Sequence, residues 1–215
     1  MELNGIKINF LGDSITEGHG VSDNDHRFTN IIEKTTGAIC RNYGIGGTRF
    51  ARQNDEENRD DDYCSRFSKM DDDADIVAVF GGTNDFGHGN APLGEFKDRT
   101  PDTFYGACHF LFSGLITKYP TAKIVVFTPL HRCNEDDPRG DGRYPFDFGT
   151  LKDYVNIIRE IAEYYSLPVL DLFAESGLQP CVPVIREKYI PDGLHPNDAG
   201  HIILAEKIIS FFKTL

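Results

Sequence analysis

A chain of 215 residues with 40% apolar and 12% aromatic content is long enough for one buried core and short for two, so a single globular domain over residues 1–215 is expected. The formal net charge of −12 repels phosphate backbones, and no basic stripe with interleaved aromatics offsets it, which argues against nucleic acid and anionic membrane surfaces as partners. No apolar run reaches the roughly 18 residues of a membrane span, and the five cysteines (Cys40, Cys64, Cys108, Cys133, Cys181) are scattered and never spaced CxxC, against a disulfide framework or zinc knuckle.

The N-terminus turns strand-like almost at once, without a basic segment followed by an apolar one, so the cytoplasm is the expected location. Ile6, Ile8, Phe10 and Leu11 make an apolar, β-favouring run, and Gly12 lets it bend into a turn carrying Asp13, Ser14 and Thr16. Phe28, Ile31 and Ile32 recur at helical spacing until Gly37, and a second strand follows from Ala38 to Tyr43. The acidic run from Asp55 to Asp62 and the triplet Asp71-Asp72-Asp73 read as solvated surface, since they lack the glycine and closing glutamate of a calcium loop. Residues 63–70 suggest a short helix, and Ile76 to Phe80 is the continuous apolar run of a fully buried parallel strand. A helix from Thr103 to Lys118, a strand from Lys123 to Thr128, a helix over 150–165, a brief strand from Pro168 to Leu172 and a helix from Asn197 complete the chain. This alternation predicts an α/β fold, a three-layer α/β/α sandwich around a five-stranded parallel sheet.

Four stretches carry candidate chemistry. Ser14 sits where the first strand ends, the edge at which open parallel sheets bind ligands, although a helix N-cap is the plainer use of such residues. The turn Asn42-Tyr43-Gly44-Ile45-Gly46-Gly47-Thr48 lets backbone approach a ligand, so that a Gly47 N–H can point into the space above Ser14, with Gly44 and Gly46 as competing donors and a plain flexible turn as the blander reading. Gly81-Gly82-Thr83-Asn84-Asp85 reads as a loop that places the Asn84 amide beside the first strand, either as a donor to an oxyanion or as an Asx-turn. Pro191-Asp192-Gly193-Leu194-His195-Pro196 holds His195 on a loop where it has little packing purpose, with Asp192 near enough to orient it as a base for Ser14.

Gly12-Asp13-Ser14, Gly46-Gly47, Gly82-Thr83-Asn84-Asp85 and Asp192-Gly193-Leu194-His195 resemble, in order, the four blocks of the SGNH or GDSL-type esterases and acylhydrolases. The resemblance implies a flavodoxin-like SGNH hydrolase fold and an ester hydrolase with Ser14 as nucleophile, His195 as general base and Asp192 as its orienter. By the same likeness the oxyanion hole comprises the Ser14 and Gly47 N–H groups and the Asn84 side chain. It implies a small-molecule ester as substrate and no cofactor, and the chain leaves room for a homo-oligomer. The family spans carbohydrate deacetylases, arylesterases, thioesterases and lipid acylhydrolases.

Loops Phe86–Thr100 and His131–Gly149 are expected to wall the site; rich in Gly, Asp, Arg and Asn, they favour short acyl groups, such as O-acetyl on carbohydrate, over lipid chains. Lipase-like and thioesterase activities are the near alternatives. Within these loops His88, His131, Arg132 and Arg143 read as surface residues, and Arg139-Gly140-Asp141 reads as a turn. His19, His26, His109 and His201 show no metal-ligand spacing, so no metal is expected. Two rivals come from other classes: a flavodoxin-like binder of flavin mononucleotide, with Ser14, Thr16 and Gly18 around the phosphate, and an inactive scaffold retaining the fold.

Overall fold

The computed structural model describes residues 1–53, 61–138, 140–141 and 148–215. Strands β1 (Lys7–Gly12), β2 (Ile39–Gly44), β3 (Ile76–Phe80), β4 (Lys123–Phe127) and β5 (Val169–Leu170) form one five-stranded sheet in the order β2-β1-β3-β4-β5. Every neighbouring pair is parallel, so the chain must cross back over the sheet between strands, and it does so through helices on both faces. Period-two side-chain direction sorts the core. Ile8, Phe10, Ile76, Ala78, Phe80, Val125 and Phe127 meet helices α2 (Phe28–Thr36) and α9 (Asp198–Thr214), while Leu11, Val77, Val79 and Val126 meet α5 (Phe104–Lys118) and α6 (Leu151–Tyr164). The strand order reverses at β1, so the connections leaving β1 and β3 open a crevice at their C-terminal ends.

Long elements lie within a few residues of their expected bounds. The short ones differ more. The tight turn after β1 leads at once into helix α1 (Ser14–Glu17), with Asp13 as its N-cap, and Thr83 onward is not a loop but helix α4 (Thr83–His88). Helices α7 (Leu172–Glu175) and α8 (Pro183–Tyr189) are too short to show a repeating apolar period, and only their starts, Asp171 as N-cap and Pro183 in the first turn, mark them in the sequence. Strand β5 stops at Leu170 because the Asp171 side chain accepts from Ala174 N and turns the chain into α7. The expected short helix at 63–70 is α3 (Tyr63–Arg66) running into a 3₁₀ turn at Phe67–Lys69.

Residues 54–60, most of the acidic run, lie outside the described residues. Asp62, expected on the surface, is buried, because its carboxylate caps α3 by accepting from Ser65 N at 2.8 Å. In the acidic triplet, Asp71 and Asp73 pair with Arg41, and Asp73 also pairs with Lys7, at the exposed N-terminal edge of the sheet. Cys64 and Cys108 are core residues and all five cysteines are free thiols. Among the described residues no helix is long and apolar enough to cross a membrane.

Candidate active site

Ser14 opens α1 directly at the end of β1. Asp13 makes this sharp entry work: its Oδ1 accepts from Ile15 N at 3.0 Å, satisfying a donor the first helical turn leaves open. Close packing fixes the turn from two sides. A Cβ on Gly12 would lie 1.9 Å from Thr16 Oγ1, and one on Gly44, at the end of β2, would lie 2.1 Å from Glu17 N. Gly44 thus lets backbone approach backbone, α1 against β2, rather than a ligand.

His195 reaches Ser14 from the far end of the chain. Its Nε2 is 3.0 Å from Ser14 Oγ, and its Nδ1 is 2.7 Å from Asp192 Oδ2. Asp192 Oδ1 also accepts from Leu194 N at 2.8 Å and His195 N at 2.7 Å, a fold of the loop that needs the positive φ of Gly193. The loop is pinned by Cys133 N donating to Gly193 O and by Asn197, whose side chain caps α9. Burial pushes the Asp192 carboxyl up, yet the hydrogen bonds from His195 and Leu194 outweigh it and hold the group below its ordinary value. For His195 burial wins: the imidazole lies below its ordinary 6.5 despite Asp192, with His19 and Arg132 adding to the lowering. A neutral Nε2 beside a serine hydroxyl, with a carboxylate behind it, can take the hydroxyl proton as the oxygen attacks.

Candidate donors line the same cavity. Gly44 N is taken by Asn42 Oδ1 at 2.8 Å and Gly46 N by Glu17 Oε2 at 2.7 Å, which leaves Gly47, at φ +76°, as the turn's candidate. Asn84 lies on the first turn of α4, buried, with Nδ2 donating to Thr48 O at 3.1 Å. Ser14, His19, Gly46, Gly47, Asn84, His88, Asp141, Leu194 and His195 line a cavity of about 300 Å³. The five residues named for the site, Ser14, Gly47, Asn84, Asp192 and His195, therefore meet at one crevice, with Asp192 behind the imidazole.

The profile of the GDSL-like lipase/acylhydrolase family matches residues 10–203. The chain belongs to that family. No curated protein is similar to it in sequence. Among solved structures, a Lactobacillus plantarum protein is 30% identical to this GDSL-like chain, with a TM-score of 0.84 over 98% of each chain. The lipase/acylhydrolase from Enterococcus faecalis is 22% identical, with a TM-score of 0.64 over 97% of this chain and 96% of its own. A two-domain esterase active on acetylated mannans is 21% identical, with a TM-score of 0.64 over 98% of this chain and 49% of its own.

Within and around the four blocks stand residues with roles not expected from the sequence. Asp85 is fully buried and accepts from Phe50 N and Ala51 N at 2.9 Å each, strapping the segment after the glycine turn to α4. Arg66 is buried and donates to Gly12 O and Tyr43 O at 2.6 Å, tying the ends of β1 and β2 beneath the site. Arg132, read as surface, is 5% exposed and pairs with Asp141 at 2.5 Å. His88, also read as surface, lines the cavity; His131 pairs with Glu135 at 2.9 Å. Arg139 and Arg143 lie outside the described residues, while Gly140 and Asp141 form the expected turn. His109 and His201 are buried structural groups, but the fold brings His19 where its spacing gave no hint: ligand atoms of His19, Asp192 and His195 lie within 4.8 Å of one another. Residue spacing along the chain is blind to that approach, which depends on the turn after α1 facing the loop before α9.

Proposed function

We propose that this chain is a serine esterase that removes short acyl groups, acetyl to butyryl, from polar alcohols such as sugars. Ser14 Oγ bonds to the ester carbonyl carbon while His195 Nε2 takes its proton; the alcohol leaves with that proton, and water then releases the acid from the acyl-enzyme. Asp192 holds the imidazole, and the oxyanion is received by the N–H groups of Ser14 and Gly47 and by Asn84 Nδ2. The observation that carries the reading is the unbroken run from Asp192 through His195 to Ser14, at 2.7 and 3.0 Å, at the mouth of the β1/β3 crevice. The short acyl preference is supported by the cavity of about 300 Å³, in which Leu194 is the one large aliphatic side chain among the described residues. Each buried methylene is worth about 0.8 kcal/mol, so an enzyme for long chains needs an apolar groove to collect it. The fold shared with an esterase active on acetylated mannans supports carbohydrate as the alcohol. The side chains and backbone N–H groups named here supply every step of the proposed reaction, which calls for no metal.

The test is kcat/KM along p-nitrophenyl esters from two to twelve carbons, with chelator present, alongside labelling by a fluorophosphonate. Rates should peak at two to four carbons, and Ser14→Ala should abolish both turnover and labelling while the protein stays folded. Label on another residue would overturn the nucleophile, rates climbing past eight carbons the acyl preference, and loss of activity with chelator the metal-free reaction.

A further inference from the structure

An oxyanion donor is useful only if its N–H points at the developing charge before the reaction starts, and a side-chain amide can sit in either of two orientations. Asn84 is bracketed by groups that permit one. Thr48 O, 3.1 Å from the amide nitrogen, is a carbonyl and can only accept. On the other side His88 Nε2 is 3.2 Å from Asn84 Oδ1, and His88 Nδ1 is 2.8 Å from Arg49 Nη1. Arg49 is buried and its guanidinium can only donate, so Nδ1 must accept. The imidazole proton is thereby sent to Nε2, from which it can donate only to an oxygen. The direction of every bond in the run Arg49, His88, Asn84, Thr48 is set by its two ends, the guanidinium and the carbonyl.

We propose that Arg49 and His88 are positioning residues that lock the Asn84 amide with one N–H on Thr48 O and the other facing the cavity, an inference that rests on Asn84 being an oxyanion donor. Helix α4 makes the link, since Asn84 and His88 are four residues apart and share a helix face. Arg49 reinforces it by also donating from Nη1 to His88 O at 3.3 Å, holding the end of the helix on which both side chains stand. The relay acts through geometry alone, so its removal should lower turnover without weakening ground-state binding.

Steady-state kinetics on a short p-nitrophenyl ester, with urea midpoints to check folding, provide the test. His88→Leu should reduce kcat roughly ten- to a hundredfold with KM nearly unchanged, a part of the roughly hundred- to thousandfold loss expected of Asn84→Ala. His88→Gln, whose amide can accept from Arg49 and donate to Asn84, should recover most of that loss. In an Asn84→Ala background, His88→Leu should change kcat by less than about threefold, because nothing remains for it to position. Independent, multiplying losses in the double variant, or a loss confined to KM, would overturn the relay. The ¹⁵N spectrum of His88 gives a reading that needs no turnover: the Nε2–H tautomer supports the relay and the Nδ1–H tautomer ends it. An inactive wild type that takes no phosphonate label would defeat the proposed esterase reaction instead, a result distinct from either.

Discussion

In the proposed reaction His195 is neutral at rest and cationic in the transition state, and its surroundings push both ways. Burial disfavours the charged ring, Asp192 favours it, and the balance leaves the imidazole below its ordinary 6.5. With the neutral ring as the proposed base, kcat/KM should rise with pH through a midpoint below 6.5 and stay level to about pH 8. His19 stands edge-on to His195 with ring centres 4.3 Å apart, and as a cation it opposes a second positive charge there. His19→Gln should move the midpoint upward, towards 6.5, with little change in the plateau. A midpoint above 6.5 in the wild type would show that Asp192 outweighs burial, and one unmoved by His19→Gln would show that His19 does not tune the base. At this scale the sequence was legible where chemistry is displayed on turns. Asp192 and His195 stand beside Gly or Pro on a loop where the imidazole has little packing purpose, while Ser14 and Asn84 also fit an N-cap and an Asx-turn and become candidates through the order of the four blocks; Arg49 and His88 look like ordinary surface charge until α4 and the glycine turn are brought together.

The elements show why glycine spacing alone misleads. Gly44 and Gly46 compete in sequence with Gly47, the expected donor, and the fold uses the three differently: the first for the approach of α1 to β2, the second to bring its N–H onto Glu17, the third for its positive φ. Gly44→Ala sets a methyl against backbone, so the clash cannot be relieved by a rotamer change, and overpacking of this kind costs about 1–3 kcal/mol. The variant should unfold at lower urea with an unchanged m-value, and kcat should fall, because α1 carries Ser14 and must move to make room. Unchanged stability would mean that α1 is free to shift. Long elements were readable because apolar side chains repeat along them, as in α5, α6 and α9. Helices of four to seven residues, α1, α4, α7 and α8, carry no such repeat and are set by caps and by what they pack against. The topology was legible for a further reason: alternating strands and helices with apolar strand runs admit few arrangements once parallel crossovers take their usual hand.

Across the whole molecule, a net charge of −12 coexists with two buried acids, Asp13 next to Ser14 in the chain and Asp85 next to Asn84. Burial raises Asp13 from 3.8 to about 7, and burial also raises Asp85 from 3.8 to about 6. A group whose folded value lies above its unfolded value supports the fold fully below the unfolded value, and that support is lost as pH climbs through the folded one. For Asp13 the loss runs from 3.8 to about 7, and for Asp85 from 3.8 to about 6, so these groups make the fold less stable at pH 8 than at pH 5.5. His201, kept neutral down to about 4 by burial, works in the opposite direction between there and its ordinary 6.5. Comparison with a variant cancels that contribution. Asp13→Asn retains an oxygen for Ile15 N but cannot ionise, so the fall in stability between pH 5.5 and 8 should shrink by about 2 kcal/mol, a unit and a half of titration. Urea unfolding of both proteins at the two pH values measures it. An equal fall in wild type and variant would show that Asp13 is already ionised in the fold at pH 5.5, the hydrogen bond from Ile15 N and the Arg66 charge then outweighing burial.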